Sequence, residues 1–244
     1  MNIETTFKKI EKARGPSFRA FVKRSLKPYP ALFIPVFRCF GADMAKELLI
    51  SPKTDLIIEG FPRSANTFSV VAFQSAGNRF VNIAHHLHAE AQIIAGVRRG
   101  LPTMALLRDP EKAVRSLRML LPAMDENRAL VEWIAFYERI MPLKDRIFFA
   151  EFSQVTTDFG AVTAGLNEKF GTDFSCFDHT PENVAAVYSE IEGIDQRLRG
   201  GSDMHIARPS TVKSEAQSRT TFNFDPRVLA EARSLFSELA GSTV

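Results

Sequence analysis

The sequence predicts an α/β fold in which a three-layer parallel sheet is flanked by helices. Three observations carry this expectation. Short apolar runs alternate with segments of helical periodicity, the pattern of strands joined by crossover helices. A chain of 244 residues with 45% apolar and 24% charged side chains can bury one sizeable core, in the proportions of an ordinary globular protein. Finally, the stretch Asp55 to Phe68 runs from apolar residues through Gly-Phe-Pro into Arg, Ser, Asn and Thr, the order of a strand, a turn and a helix start.

The first part of the chain is basic. Nine Lys and Arg residues lie in positions 1–40 against Glu4 and Glu11, a local charge of +7 in a chain whose total is +3. Phe7, Ile10, Phe18, Phe21 and Val22 are interleaved with these charges over residues 5–27. They suit amphipathic helical turns broken near Gly15-Pro16 and ended at Lys27-Pro28. We read residues 1–50 as a basic helical N-terminal arm and 51–244 as the α/β domain. A solvated arm is one reading; peripheral contact with an anionic membrane, with Pro30 to Ile34 as a shallow apolar patch, is the other. The longest apolar stretch, Ala31 to Phe37, is short and interrupted by Pro35, so no bilayer span is expected. Cys39 and Cys176 are far apart without metal-ligand spacing, and read as reduced thiols of a cytoplasmic protein.

The domain then follows in order. Leu56–Gly60 reads as a buried strand, Ala65–Gln74 as a helix, Phe80–Ile83 as a second strand, and Ala89–Arg99 as a helix closed by Gly100. Thr103–Leu107 is a third strand, leading through Arg108-Asp109-Pro110 into a helix from about Glu111 to Leu121, with Pro110 in the first turn. Leu130, Ile134, Tyr137 and Ile140 mark Ala129–Ile140 as a core-facing helix. Arg146–Phe152 is a further strand, Val155–Phe170 a helix stopped by Gly171, and Pro226–Ala240 the last helix. From Asp173 to Phe224 the periodicity fades among polar residues, as in long loops or a lid.

Ligands of open α/β sheets sit beyond the carboxyl ends of the strands, and three such ends carry suggestive residues. Gly60, Ala65, Asn66 and Thr67 occupy the positions of a phosphate-binding G-x-x-x-x-G-K-[ST] loop, with Ala and Asn in place of its second Gly and its Lys. Helix-start amides, the Ser64 and Thr67 hydroxyls and the Arg63 fork suit an anion there; an ordinary capped helix start is the alternative. At the second place, Arg108 and Ser116 stand eight residues apart, with Asp109 suited to cap the helix between them. At the third, His85, His86 and His88 follow the second strand. A metal site is disfavoured there, because neighbours on a strand point to opposite faces and no carboxylate or Cys completes the set. One histidine acting as a general base fits better.

Phe61-Pro62-Arg63-Ser64-Ala65-Asn66-Thr67-Phe68 resembles the 5′-phosphosulfate loop of sulfotransferases that use 3′-phosphoadenosine-5′-phosphosulfate (PAPS). Leu107-Arg108-Asp109-Pro110 through Ser116 resembles their 3′-phosphate motif, and the histidines lie between the two, where many members place the base. The resemblance covers residues 54–120 most closely. Beyond them, Phe149 to Phe152 looks like a later family strand and His205–Arg219 like the terminal cofactor-binding loop.

The resemblance implies a P-loop-like sulfotransferase architecture and a division of labour. Arg63 would stabilise the leaving phosphate oxygen; Ser64, Ala65, Asn66, Thr67 and Phe68 would form the 5′-phosphate loop. Arg108 and Ser116 would hold the 3′-phosphate, with Arg208 and Lys213 closing on it. His86 would be the base, followed in order by His88 and His85; here His86-Leu87 runs on into His88-Ala89 rather than Leu-Pro. Such a transfer asks mainly for alignment and positive charge, so no metal is implied. The expected acceptor is a small molecule, carbohydrate or lipid bearing a hydroxyl or amine, with no nucleic-acid partner. Two alternatives stand beside this reading: a P-loop kinase or NTPase, and a non-catalytic phosphate-binding module associated with a membrane.

Overall fold

The computed structural model describes residues 25–41, 43–77, 79–199 and 219–241. Its centre is a four-stranded, wholly parallel sheet in the order β2-β1-β3-β4, from β1 (Leu56–Gly60), β2 (Ile83–His85), β3 (Thr103–Leu107) and β4 (Phe148–Glu151). Every residue of β1 and β3 is buried, which explains why these strands read as nearly continuous apolar runs, with Glu59 the charged exception in β1.

Alternate strand residues serve two separate cores, so helices cover both faces. Leu56, Ile58, Met104, Leu106, Phe148 and Ala150 point to one side, with α3 (Asn66–Ala76), α8 (Phe159–Phe170) and α9 (Pro181–Arg199). Ile57, Ala105, Leu107 and Phe149 point to the other, with α4 (Glu90–Arg98), α5 (Pro110–Leu120), α6 (Glu126–Ile140) and α10 (Pro226–Ala240). Gly96 lets α4 approach the sheet closely, since a methyl there would meet Ile57 Cγ1 at 2.5 Å.

A third, smaller cluster joins α1 (Pro30–Phe40) to the domain. Phe33 is fully buried with Leu49, Leu87, Ala89 and Ala91, and the Ala91 amide donates to the Lys27 carbonyl at 2.8 Å. A five-residue helix, α2 (Asp43–Glu47), follows α1. Residues 25–50 are thus packed onto the sheet domain beside the histidine loop, and the stretch before residue 25 lies outside the described residues.

Three boundaries differ from the sequence expectation. The second strand is Ile83–His85 rather than Phe80–Ile83: Phe80 is exposed, Gln74 clamps both backbone groups of Val81, and pairing with β1 begins at Ile83. The helix expected over Val155–Phe170 is two helices, α7 (Phe152–Thr157) and α8, because Asp158 leaves helical geometry and caps α8 through the Ala161 amide. The third is α9, a 19-residue helix inside the segment expected to be loops. Its buried Val187 and Ile191, flanked by Val184, Tyr188 and Ile194, form a narrow apolar stripe among polar residues.

Candidate functional site

The strand order places the site. β1 continues into α3 on one face and β3 into α5 on the other, so the loops after these two neighbouring strands diverge and leave a crevice at their carboxyl ends. Gly60 forms the floor of this crevice. A Cβ there would meet the Leu106 carbonyl oxygen at 2.6 Å, so only glycine lets the two strand ends come this close.

The loop from Gly60 into α3 is a strained cradle. Arg63 (φ 71°) and Ala65 (φ 67°) both adopt left-handed backbone, Ala65 at the position a P-loop gives to its second glycine. Asn66 holds the turn closed, its Nδ2 donating to the Phe61 carbonyl at 3.2 Å, while its buried Oδ1 has no partner. No side chain caps α3, so the amides of its first turn and its dipole are turned toward the crevice without a protein acceptor from the N-cap residue. Ser64 is fully buried near the Tyr137 phenol, whose pKa burial drives up. Phe68 turns its ring into the core against Phe159, Phe177 and Tyr188, so only its backbone belongs to the loop.

The two motifs that the sequence separates meet at Arg63. Its Nε donates to Ser116 Oγ at 3.0 Å, and its carbonyl oxygen accepts from Arg108 Nη1 at 2.6 Å. Arg108 also stacks its guanidinium 3.9 Å over the Phe152 ring, and its Nε is buried with no partner. Burial first, and the neighbouring Arg63 second, pull the Arg108 pKa down to about 10, so it stays charged at neutral pH in a locally positive field. Asp109 accepts from the Lys112 amide at 2.8 Å, which is the capping role its position suggests. The chain returns beside this cluster, where Arg115 lies over Phe222 and Phe224. Arg208 and Lys213 lie outside the described residues.

The histidines close the other side. His85 ends β2, and His86 (φ 58°) and His88 (φ 49°) are both left-handed, so the alternation expected of a strand is lost. The His85 and His86 rings meet edge to face with their Nδ1 atoms 2.5 Å apart, and His86 Nε2 lies 3.1 Å from Thr67 Oγ1. Burial lowers the His85 pKa to about 4, so His85 is neutral near pH 7. When His86 donates from Nδ1 to His85, its Nε2 becomes the basic nitrogen beside the cradle. His88 Nδ1 lies 2.8 Å from the Gly60 carbonyl, which only accepts, so Nδ1 carries a proton and, in the neutral ring, Nε2 carries the lone pair. Among the described residues no three His, Cys, Asp or Glu side chains are grouped to hold a metal ion.

One residue with a central place was missed in the sequence. Glu59, fully buried in β1, accepts from the amides of Leu87 (2.9 Å) and His88 (3.0 Å) and from Gln92 Nε2 (2.8 Å). It pins the histidine loop to the central strand, and burial raises its pKa to about 7. A single carboxylate inside an otherwise apolar strand was the available signal.

The fold and site define an α/β protein with a candidate anion-binding crevice, lined by two arginines and a helix start and flanked by histidines. Comparison with protein-family models, with curated proteins and with solved structures gives no match, so the functional reading stands on these residues.

Proposed function

We propose that the protein is a PAPS-dependent sulfotransferase of P-loop-like architecture, moving a sulfuryl group to an acceptor hydroxyl or amine. The observation that carries this reading is the joining of Arg63, Arg108 and Ser116 into one positive cluster at the end of β1 and β3. The orphaned buried donor Arg108 Nε and an uncapped helix start fit a ligand with two separated anionic groups.

PAPS supplies an activated sulfuryl group on its 5′-phosphate and a second phosphate at the 3′ position. The first turn of α3, with Asn66 and Thr67, holds the 5′ end, and Arg108 and Ser116 hold the 3′-phosphate. Arg63 touches both halves and offers positive charge where the leaving phosphate oxygen becomes negative. His86 takes the proton of the acceptor, with Thr67 and His85 fixing its ring; His88 is the neighbouring candidate. A γ-phosphate-binding lysine is not needed for this chemistry, and at its position stands Asn66, engaged in closing the turn.

The test is a comparison of ligands by thermal shift, followed by transfer of labelled sulfate from PAPS to hydroxyl and amine acceptors. Stabilisation by 3′,5′-bisphosphoadenosine is expected. Strong stabilisation by ATP-Mg²⁺ and none by the bisphosphate would overturn the proposal in favour of a kinase or NTPase.

A further inference from the structure

Glu59 is fully buried in β1, with Ala105 of β3 as its register partner on one side. An apolar residue would fill the same place without the cost of taking a carboxylate out of water. On the other side, pairing of β1 with β2 ends at Ile58 and His85, one residue before Glu59. The amides of Leu87 and His88 therefore lie beyond the ladder, and the carboxylate replaces a strand as their acceptor.

Both carboxylate oxygens are used. Oε1 accepts from the Leu87 amide at 2.9 Å and from Gln92 Nε2 at 2.8 Å, and Oε2 accepts from the His88 amide at 3.0 Å. Gln92 is fixed in turn, since its Nε2 also donates to the Leu48 carbonyl at 3.2 Å and its Oε1 accepts from the Ile50 amide at 2.7 Å. A glutamine in place of Glu59 would turn an NH2 group toward one of these donors. The residues on either side of Leu87, His86 and His88, hold left-handed backbone at φ 58° and 49°, a conformation that is costly outside glycine. That backbone aims the rings: His86 Nε2 lies 3.1 Å from Thr67 Oγ1, and His88 Nδ1 lies 2.8 Å from the Gly60 carbonyl.

We propose that Glu59 is the positioning residue of the histidine base: its carboxylate holds the backbone of residues 86–88 so that an imidazole nitrogen faces the cradle. Glu59 itself touches neither donor nor acceptor. This role rests on the proposed function, in which the histidine loop supplies the base. It places the aim of that base under a side chain of the central strand, acting through backbone amides and not through the ring.

The experiment compares wild type with Glu59→Gln at pH 8, where Glu59, with a pKa that burial raises to about 7, is mostly ionised. Affinity for 3′,5′-bisphosphoadenosine and the KM for the acceptor are expected to stay close to wild type. Turnover is expected to fall about a hundredfold, the effect of moving a reacting group by roughly 1 Å. Nitrogen-resolved magnetic resonance of the imidazoles gives a second readout that needs no turnover. Wild type is expected to carry the His88 proton on Nδ1, and Glu59→Gln to move it toward Nε2, the form that a freed ring favours. Turnover equal to wild type, equal losses of turnover and bisphosphate affinity, or identical ring spectra overturns the proposal. Loss of the variant's circular dichroism also overturns it, making Glu59 a residue of the sheet alone. Absence of sulfuryl transfer in wild type counts instead against the proposed function, and the ring spectra then decide by themselves whether Glu59 places the histidines.

Discussion

Arg108 Nη1 donates to the carbonyl oxygen of Arg63 at 2.6 Å, so a side chain from the end of β3 fixes the backbone of the loop that follows β1. This bond holds Arg63 in its left-handed backbone, two residues before the equally left-handed Ala65, and brings two cations together beside Ser116. In the proposed function this pair of like charges is where an anionic group is held.

The first prediction follows from that placement. Arg108→Ala is expected to weaken binding of 3′,5′-bisphosphoadenosine by about 10- to 100-fold, the worth of a lost charged hydrogen bond, and to affect the 3′-hydroxyl analogue far less. Isothermal titration of both nucleotides decides it. Equal losses would mean that Arg108 merely shapes the loop.

A second prediction separates the two candidate bases. His86→Ala is expected to lower turnover by roughly a hundred- to ten-thousand-fold while the bisphosphate still binds, since general base catalysis is worth about that much. His88→Ala serves as the counterpart. Should turnover survive in the first variant and collapse in the second, the role belongs to the ring oriented by the Gly60 carbonyl.

Glu59 and His85 give stability an opposed pH dependence. Burial raises the Glu59 pKa from 4.5 to about 7, so its contribution is complete below pH 4.5 and lost as pH rises through 7. Burial lowers the His85 pKa from 6.5 to about 4, so its contribution is complete above pH 6.5 and lost as pH falls through 4. Over the shared interval the two partly cancel. Glu59→Gln is expected to unmask a stability that rises with pH, gaining up to about 3 kcal/mol on wild type between these limits, on top of a pH-independent offset from the altered amide contacts. Urea unfolding across the interval measures this. Parallel wild-type and variant profiles would contradict it.

Gly60→Ala tests the floor of the crevice. The added methyl would sit 2.6 Å from the Leu106 carbonyl oxygen and 2.9 Å from its Cβ, both fixed within the central strands. We expect a loss of about 3 kcal/mol, read as a lower unfolding midpoint and weaker nucleotide binding. A variant as stable as wild type would show that the strand ends can separate at little cost.

Much of the architecture was legible because a parallel sheet buried on both faces leaves a strong local trace. Leu56–Gly60 and Thr103–Leu107 are largely apolar runs, the first interrupted only by Glu59 and ending in Gly60, the second lying between Pro102 and Arg108, so their limits were plain. The second strand was harder to place. Its register is set by pairing of Ile83 to His85 with Leu56 to Ile58 and by the Gln74 clamp on Val81, contacts distant in sequence. The α9 helix was missed because only a thin stripe of it is apolar, and that stripe becomes visible only when Phe68, Phe159 and Phe177 are in place to receive it.

The candidate site divides in the same way. Local spacing alone picked out Arg63 to Thr67, Arg108, Ser116 and the three histidines, because a phosphate cradle and a capped helix need particular residue types at short, fixed separations. Nothing local could show that Ser116 bonds to Arg63, that Ser64 and Phe68 turn inward, or that Glu59 fastens the histidine loop. Those relations arise when β1 is inserted between β2 and β3. Strand order, which no single segment encodes, decides which loop ends face one another across the crevice.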